Sequence, residues 1–363
     1  MIIYIKNSIC LCAVVAILAI VGIATPCKAL KLTKETLLLK QYLLTSPKRG
    51  VMFGHHDDPM YGLGWKWNEN RSDVKSVCGD YPAVMSFDMS GIELGHSCNL
   101  DSVPFARIRK EAVKQYLRGG IVSLSWHLDN PSTGKSAWDV SDSLVVVKIL
   151  TGGSLHKEFL RRLDCVATFL GSIKTNKGVK VPIIFRPWHE NNGTWFWWGI
   201  KCCTAQQYKA LWKMTVERLA ADKVDNVLYA YSPGADPKAF ADTYPGDNLI
   251  DIVGFDQYQD YVSRDVYVKS MRDMLQYLTS FSKEHHKIMA VTETGYVTLP
   301  DSLWWTHTLL PIIKDYPIAW VLVWRNAHIK HFYAPYPGQK SAADFINFYK
   351  DKRTLFCKDI NIR

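Results

Sequence analysis

The chain has 363 residues, 48% of them hydrophobic and 21% charged, with a formal net charge of +10. That length admits one large domain or two ordinary ones, and the composition is that of a globular protein. Lys and Arg are scattered over helix-like stretches such as 107–118 and 269–287. No basic block is interleaved with aromatics, so the excess charge reads as a solvated surface and nucleic acid is excluded as a partner.

The chain opens with a segment that is not expected to belong to the fold. Lys6 precedes an apolar run from Ile9 to Ile23, and Cys27-Lys28-Ala29 ends in a small residue suited to cleavage. This is the pattern of a signal peptide over residues 1–29, with an apolar run short for a membrane span. Export to the periplasm or the outside follows, with lipid anchoring at Cys27 as the alternative that Pro26 disfavours. Removing the leader takes away Lys6 and Lys28 and lowers the charge to +8. It also removes Cys10, Cys12 and Cys27. Cys78, Cys98, Cys165, Cys202, Cys203 and Cys357 remain, with no CxxC pair for zinc. Cys78 and Cys98 bracket one loop, but adjacent Cys202 and Cys203 leave any pairing open.

Residues 33–44 read as an amphipathic helix with Thr33 as its N-cap. Short apolar runs then recur at 51–53, 83–87, 121–125, 181–185, 227–231, 250–255, 288–291 and 319–323. Between them lie helix-length periodic segments at 105–118, 155–173, 205–221, 266–285 and 303–313. Such alternation predicts a parallel sheet. Eight units in one domain spanning 30–363 predict an α/β fold of the (β/α)8 TIM-barrel type. An open doubly wound sheet is disfavoured, because no GxGxxG or GxxxxGK[ST] loop follows any strand. Residues 54–81, with Trp65 and Trp67, and 128–153, with Trp138, are expected as loops over the cleft.

Active sites of such barrels form at the C-terminal strand ends. Here those ends carry His55-His56-Asp57, Asp88, Trp126-His127, His189-Glu190, Ser232-Pro233, Asp256-Gln257-Tyr258, Glu293 and Trp324-Arg325-Asn326. The fourth is the richest: Arg186-Pro-Trp-His-Glu190 is followed by Trp195, Trp197 and Trp198. A carboxylic acid beside indoles suits glycosidic-bond cleavage, since the acid protonates the bridging oxygen and flat rings stack on sugars. Glu293 ends the apolar seventh strand, where an ionised group is costly unless it is used or paired. Glu190 and Glu293 are therefore the candidate pair. The apolar setting of Glu190 between Trp188 and Trp195 raises its pKa and favours the acid role. Glu293 is then the nucleophile, with Tyr258 and Arg186 the groups that would hold it ionised. For Arg186 a purely structural ion pair is an equal reading. His55 and His127 are read as sugar hydrogen-bond donors or barrel-core histidines, and Trp324 as a platform under the cleaved sugar. A zinc site is rejected: HExxH would need His at position 193, which is Gly193, and Pro187 breaks the required helix.

The stretch Arg186 to Gly199, together with Thr292-Glu293-Thr-Gly295, resembles glycoside hydrolase family 26 over roughly residues 51–349. The resemblance implies a (β/α)8 barrel and a retaining β-1,4-mannanase, with no cofactor and no metal. Glu190 would be the acid/base and Glu293 the nucleophile, while His189 would contact the sugar 2-hydroxyl. Tyr258 would contact the nucleophile, and His127, Trp195 and Trp324 would bind the cleaved sugar. The expected partner is β-mannan or its oligosaccharides, acted on by a monomer. A mannobiose-releasing exo-enzyme, a β-1,3-xylanase, a mixed-linkage β-glucanase and a non-catalytic glycan-binding protein are the alternatives.

Overall fold

Eight apolar runs become eight parallel strands in the computed structural model, which describes residues 31–363. They are β1 (Val51–His56), β2 (Val84–Asp88), β3 (Ile121–Ser125), β4 (Ile183–Arg186), β5 (Val227–Tyr231), β6 (Ile252–Tyr258), β7 (Ile288–Gly295) and β8 (Trp320–Val323). Each pairs with its neighbours in sequence, and β1 pairs with β8 through Met52–Trp320 to His55–Val323, which closes the barrel. The described residues form one unit. The expected leader lies outside them. No helix among the described residues is long and apolar enough to cross a membrane.

Strands in a closed barrel are covered on both faces, so they read as apolar runs rather than alternating ones. Only the last residue or two of each emerges into the cleft. The covering helices follow the expected positions: Phe105–Leu117, His156–Ser172, Ala205–Ala221 and Arg264–Glu284. The segment after β7 differs. It opens with a π-helical turn over Trp305–Leu309 before Leu310–Ile313 continues as α-helix. Pro311 has no N–H to donate and disfavours a regular helix through this segment. Four short helices were not expected from periodicity: Asp73–Cys78, Val145–Ile149, Pro237–Thr243 and Ala342–Lys350. The first three span too few residues to show a helical period.

The N-terminal helix, Lys34–Thr45, starts where Thr33 caps it, the Thr33 hydroxyl accepting from the Thr36 N–H at 3.1 Å. Of the two long loops, 54–81 is ordered by a small hairpin, Tyr61–Gly62 with Trp65–Lys66, and Trp65 donates to Asp73 at 2.7 Å. The six cysteines expected in the mature chain are all free thiols.

The core between barrel and helices is aromatic at the β1 side. Phe53 packs on Phe356 at 5.1 Å, Phe345 at 5.2 Å, Trp305 at 5.9 Å and Phe348 at 6.0 Å, and all five rings are buried. Phe53→Ala would leave a cavity bounded by four rings whose positions are fixed by the strand and helices. The expected cost is about 3–5 kcal/mol, read as a lower urea midpoint with unchanged slope. A loss below about 1 kcal/mol would show that the helices close over the gap.

Candidate active site

At the cleft end of the barrel, β4 delivers Arg186 and the turn after it delivers His189 and Glu190. Two residues of this turn, Trp188 (φ 55°) and Glu190 (φ 52°), adopt the left-handed backbone that L-residues seldom take. The turn is held there by the Glu190 N–H donating to Ser232 O at 2.9 Å and the Gly193 N–H donating to Glu190 O at 2.8 Å. Asn192 clamps it to the β5 loop by donating to Gly234 O at 3.2 Å and accepting from the Gly234 N–H at 2.7 Å. Backbone strain that survives inside such a web is characteristic of functional sites.

Glu293 reaches the same cleft by a different device. β7 carries one residue more than its neighbours. Val291 is opposite Phe255 and Glu293 opposite Asp256, so Thr292 is the extra residue, and the pairing with β8 shifts at the same place. A bulge of this kind re-aims the side chain that follows it. Thr292 then ties the irregularity down, donating to Asp256 Oδ1 at 2.7 Å and to Phe255 O at 3.0 Å.

One oxygen from each of Glu190, Asp256 and Glu293 lies within 4.8 Å of the other two. Arg186 sits on this cluster. Its guanidinium donates to Asp256 Oδ2 at 2.8 Å, to Ser232 Oγ at 3.1 Å, and to Glu293 Oε1. Tyr258 donates to the other Glu293 oxygen at 2.7 Å. Burial, and then the charge on Glu190, pushes the Tyr258 phenol well above its usual range, so it stays a donor. Gly295 makes room for this bond. A Cβ on Gly295 would come 2.3 Å from the Tyr333 ring, which packs edge-on against Tyr258 at 5.5 Å.

Glu190 has a different environment. Burial, and then the negative Asp256, raises its carboxyl to about 7, against the opposing pull of Trp195 and Arg186. Trp195 donates to Glu190 Oε2 at 2.7 Å and is 46% exposed, so its ring face is open to the cleft. Gly193 lets that ring lie close, since a Cβ there would meet Trp195 Cζ2 at 2.5 Å.

Across the cleft floor runs a buried chain of Asp88, His127 and His189. Asp88 Oδ2 is 2.7 Å from His127 Nδ1, and His127 Nε2 is 3.0 Å from His189 Nε2. Burial pushes Asp88 up, yet the His127 ring and the Ser90 contacts outweigh it and hold the carboxyl at about 2. Burial, then the Arg186 charge, keeps His189 well below the usual imidazole range, so its ring is neutral.

The structure rearranges part of the expected site. Trp188, Trp197 and Trp198 are fully buried and offer no surface to the cleft. Their indole N–H groups donate to Thr215 Oγ1, Leu128 O and His189 O at 3.2, 3.0 and 2.7 Å. The apolar wall of Glu190 is therefore Trp195 without Trp188. His55, two residues from Phe53 and so on the same outward face of β1, bonds Asp58 at 2.9 Å and joins no cleft residue. Its neighbour His56 turns inward and lies under Trp324, ring to ring at 3.9 Å. Trp138, from the 128–153 loop, is stacked over His127 at 5.5 Å and is 49% exposed. Asp256, Asp88, His56 and Trp138 are thus site residues that sequence reasoning left without a role. Asp256 and Asp88 carried a signal, being charges at the ends of buried strands.

Among the described residues two clusters could offer three metal ligands: Glu190, Asp256 and Glu293, and His56, Asp57 and Asp101. Each already has a guanidinium. Arg186 occupies the first, and Arg325 pairs with Asp101 in the second.

The model of glycosyl hydrolase family 26 matches residues 29–338. The chain is 30% identical over 359 residues to a mannan endo-1,4-beta-mannosidase of Bifidobacterium adolescentis, covering 91% of this chain and 35% of that protein. It is 29% identical over 269 residues to a mannan endo-1,4-beta-mannosidase of Bacillus subtilis, covering 70% of each. The chain therefore spans about a third of the first relative's length and about two thirds of the second's. Among solved structures, a GH26 beta-mannanase from Bacteroides ovatus is 52% identical with a TM-score of 0.88, covering 90% of this chain and 96% of that one. An endo-beta-1,4-mannanase from Cellulomonas fimi is 32% identical with a TM-score of 0.84, covering 92% and 78%.

Because Asp256 shares Arg186 with Glu293, removing its charge should let the guanidinium shift toward Glu293 and misplace that carboxylate. Asp256→Asn is expected to fold normally by circular dichroism. Its glycoside-hydrolase kcat should fall about 10²-fold, as for a small misplacement of a group at the site of reaction. A near-normal kcat would overturn this role for Asp256.

Proposed function

The chain belongs to glycosyl hydrolase family 26, and on that premise we propose that it is a secreted, retaining β-1,4-mannanase that cuts internal bonds of mannan. The observation that carries this reading is the unequal pair, Glu190 and Glu293, facing one another across the cleft. Burial and the negative Asp256 raise the Glu190 carboxyl to about 7, so it can carry a proton near neutrality. Glu293 is gripped by a guanidinium and a phenol, both of which favour its anion. Two carboxylates in such unlike surroundings suit a division of acid and nucleophile between them.

The nearest-oxygen spacing, within 4.8 Å, accords with the roughly 5 Å separation of retaining enzymes and falls short of the 6.5 Å or more that leaves room for an inverting water. In the first step a Glu293 oxygen bonds to the anomeric carbon, the C–O bond to the leaving sugar breaks, and the Glu190 proton passes to that oxygen. In the second step Glu190 takes a proton from water. The water oxygen bonds to the anomeric carbon, and the ester to Glu293 opens. Both carboxylates, their positioning groups and the cleft-facing indoles come from one chain, so a monomer suffices. The leader pattern of residues 1–29 supports export.

Products from mannohexaose and from mannan, resolved by chromatography over time, test the reading. A spread of oligosaccharides early in the course is expected. Mannobiose alone from the start would mean exo action, and no products from either would overturn mannan as the substrate. Glu190→Ala and Glu293→Ala should each fold yet lose about 10²-fold or more in kcat. Near-normal turnover in either would remove that residue from the chemistry.

The acid role also fixes a sign. Activity should fall as pH rises through the Glu190 value of about 7, because the ionised form has no proton to give. The Trp195 hydrogen bond favours that ionised form, so Trp195→Phe should move the basic limb of kcat/KM to higher pH. A limb that stays or moves downward contradicts the assignment.

A further inference from the structure

Glu190 must reach the leaving-group oxygen, so the leaving half of the polymer lies on the Glu190 side of the cleft. A cavity of about 580 Å³ opens there, lined by Glu190, Trp195, Asp256, Tyr258, Tyr261 and Val262 among others. Its volume is in the range of ligand sites. Of the aromatic residues among these, Tyr261 alone has no place in the chemistry described above. At 98% it is the most exposed large hydrophobic side chain among the described residues.

Single exposed apolar residues are ordinary, but the turn that carries Tyr261 is unusually well fastened. It joins β6 to the helix Arg264–Glu284 in a few residues. On one side of Tyr261, Gln259 is buried. Its N–H donates to Gly295 O at 2.9 Å, and its side-chain oxygen accepts from Trp304 at 2.8 Å. Asp260, the adjacent residue, accepts from the Val297 N–H at 2.8 Å and from the Tyr333 hydroxyl at 2.6 Å. Past the tip, the Val262 N–H closes back onto Gln259 O at 3.2 Å. The ring is thus presented to water from a backbone fixed to the strand that bears Glu293. A fixed backbone lowers the entropy lost when the ring takes a partner, and a sugar ring is a partner of matching shape.

We propose that Tyr261 is a platform for the second mannosyl residue on the leaving-group side, beyond the one beside Trp195. This rests on the mannanase reading. It assigns to Tyr261 a role in choosing long chains over short ones and in holding acceptor sugars.

The test compares wild type, Tyr261→Ala and Tyr261→Phe on mannotriose through mannohexaose. In wild type kcat/KM should climb with chain length. Tyr261→Ala should reduce that climb about tenfold, equivalent to ~1.4 kcal/mol, and lower transglycosylation onto added mannobiose. Tyr261→Phe, which keeps the ring, should retain the climb. An unchanged length dependence in Tyr261→Ala overturns the proposal, and so does an equal loss at every length, which marks a structural role. Wild type that cleaves no manno-oligosaccharide defeats the mannanase reading instead, a result distinct from either.

Discussion

A buried guanidinium must be matched by negative charge, because the cost of dehydrating it is recovered only through close carboxylates. Arg186 is 3% exposed and meets that requirement with two, Asp256 and Glu293. Much of the site follows from this pairing. Three strands, β4, β6 and β7, must end at the same level for the contact to exist, and Ser232 after the intervening β5 supplies the remaining acceptor. Thr292 satisfies the outer oxygen of Asp256 and at the same time anchors the bulge that aims Glu293. A lysine could not replace the arginine here, since a single ammonium lacks the planar fork that spans two carboxylates.

The tryptophans divide into two populations with different work. Trp188, Trp197 and Trp198 form a buried edge-to-face cluster in which ring centroids lie 5.3 to 5.7 Å apart. Their N–H groups hold strand-end and loop carbonyls or a helix hydroxyl. They turn a long irregular loop into a fixed shelf, and the strained residues Trp188 and Glu190 depend on that shelf. Trp195, Trp138 and Trp324 face the cleft from three separate loops and offer ring surface to a ligand. Only the second group can act on sugar directly. The first allows the second to be placed.

Much of this was legible in the sequence for simple reasons. Barrel strands are covered on both faces, so each announces itself as an apolar run, and a charge at the end of such a run stands out. Glu190, Glu293, Arg186 and Tyr258 were visible in that way. The bulge at Thr292 was not, because one extra residue in an apolar strand changes no pattern in composition. The fate of the Trp195-Phe-Trp-Trp run was also hidden. A turn of this shape sends Trp195 outward and its neighbours inward, and only the backbone path decides which. His55 and His56 are adjacent and chemically identical, and strand parity alone, set by Phe53 in the core, makes His56 the inward one. The short helices after β1, β3 and β5 are held by packing rather than by periodicity.

On the proposed two-step path, the shared guanidinium also implies that the charge balance of the cleft changes during turnover. On the two-step path Glu293 begins as an anion and becomes a neutral ester. Arg186 then answers to one carboxylate instead of two, and the field at Glu190 turns more positive. A nearby loss of negative charge favours the ionised form of a carboxyl, so on that path the ester state would favour the Glu190 anion. Having given its proton to the leaving oxygen, Glu190 would then be favoured as the anion that accepts a proton from the incoming water. When the ester opens, the anion returns and Glu190 holds its proton again. On the proposed path, one cation shared between two carboxylates would bias the third toward each of its two roles in turn.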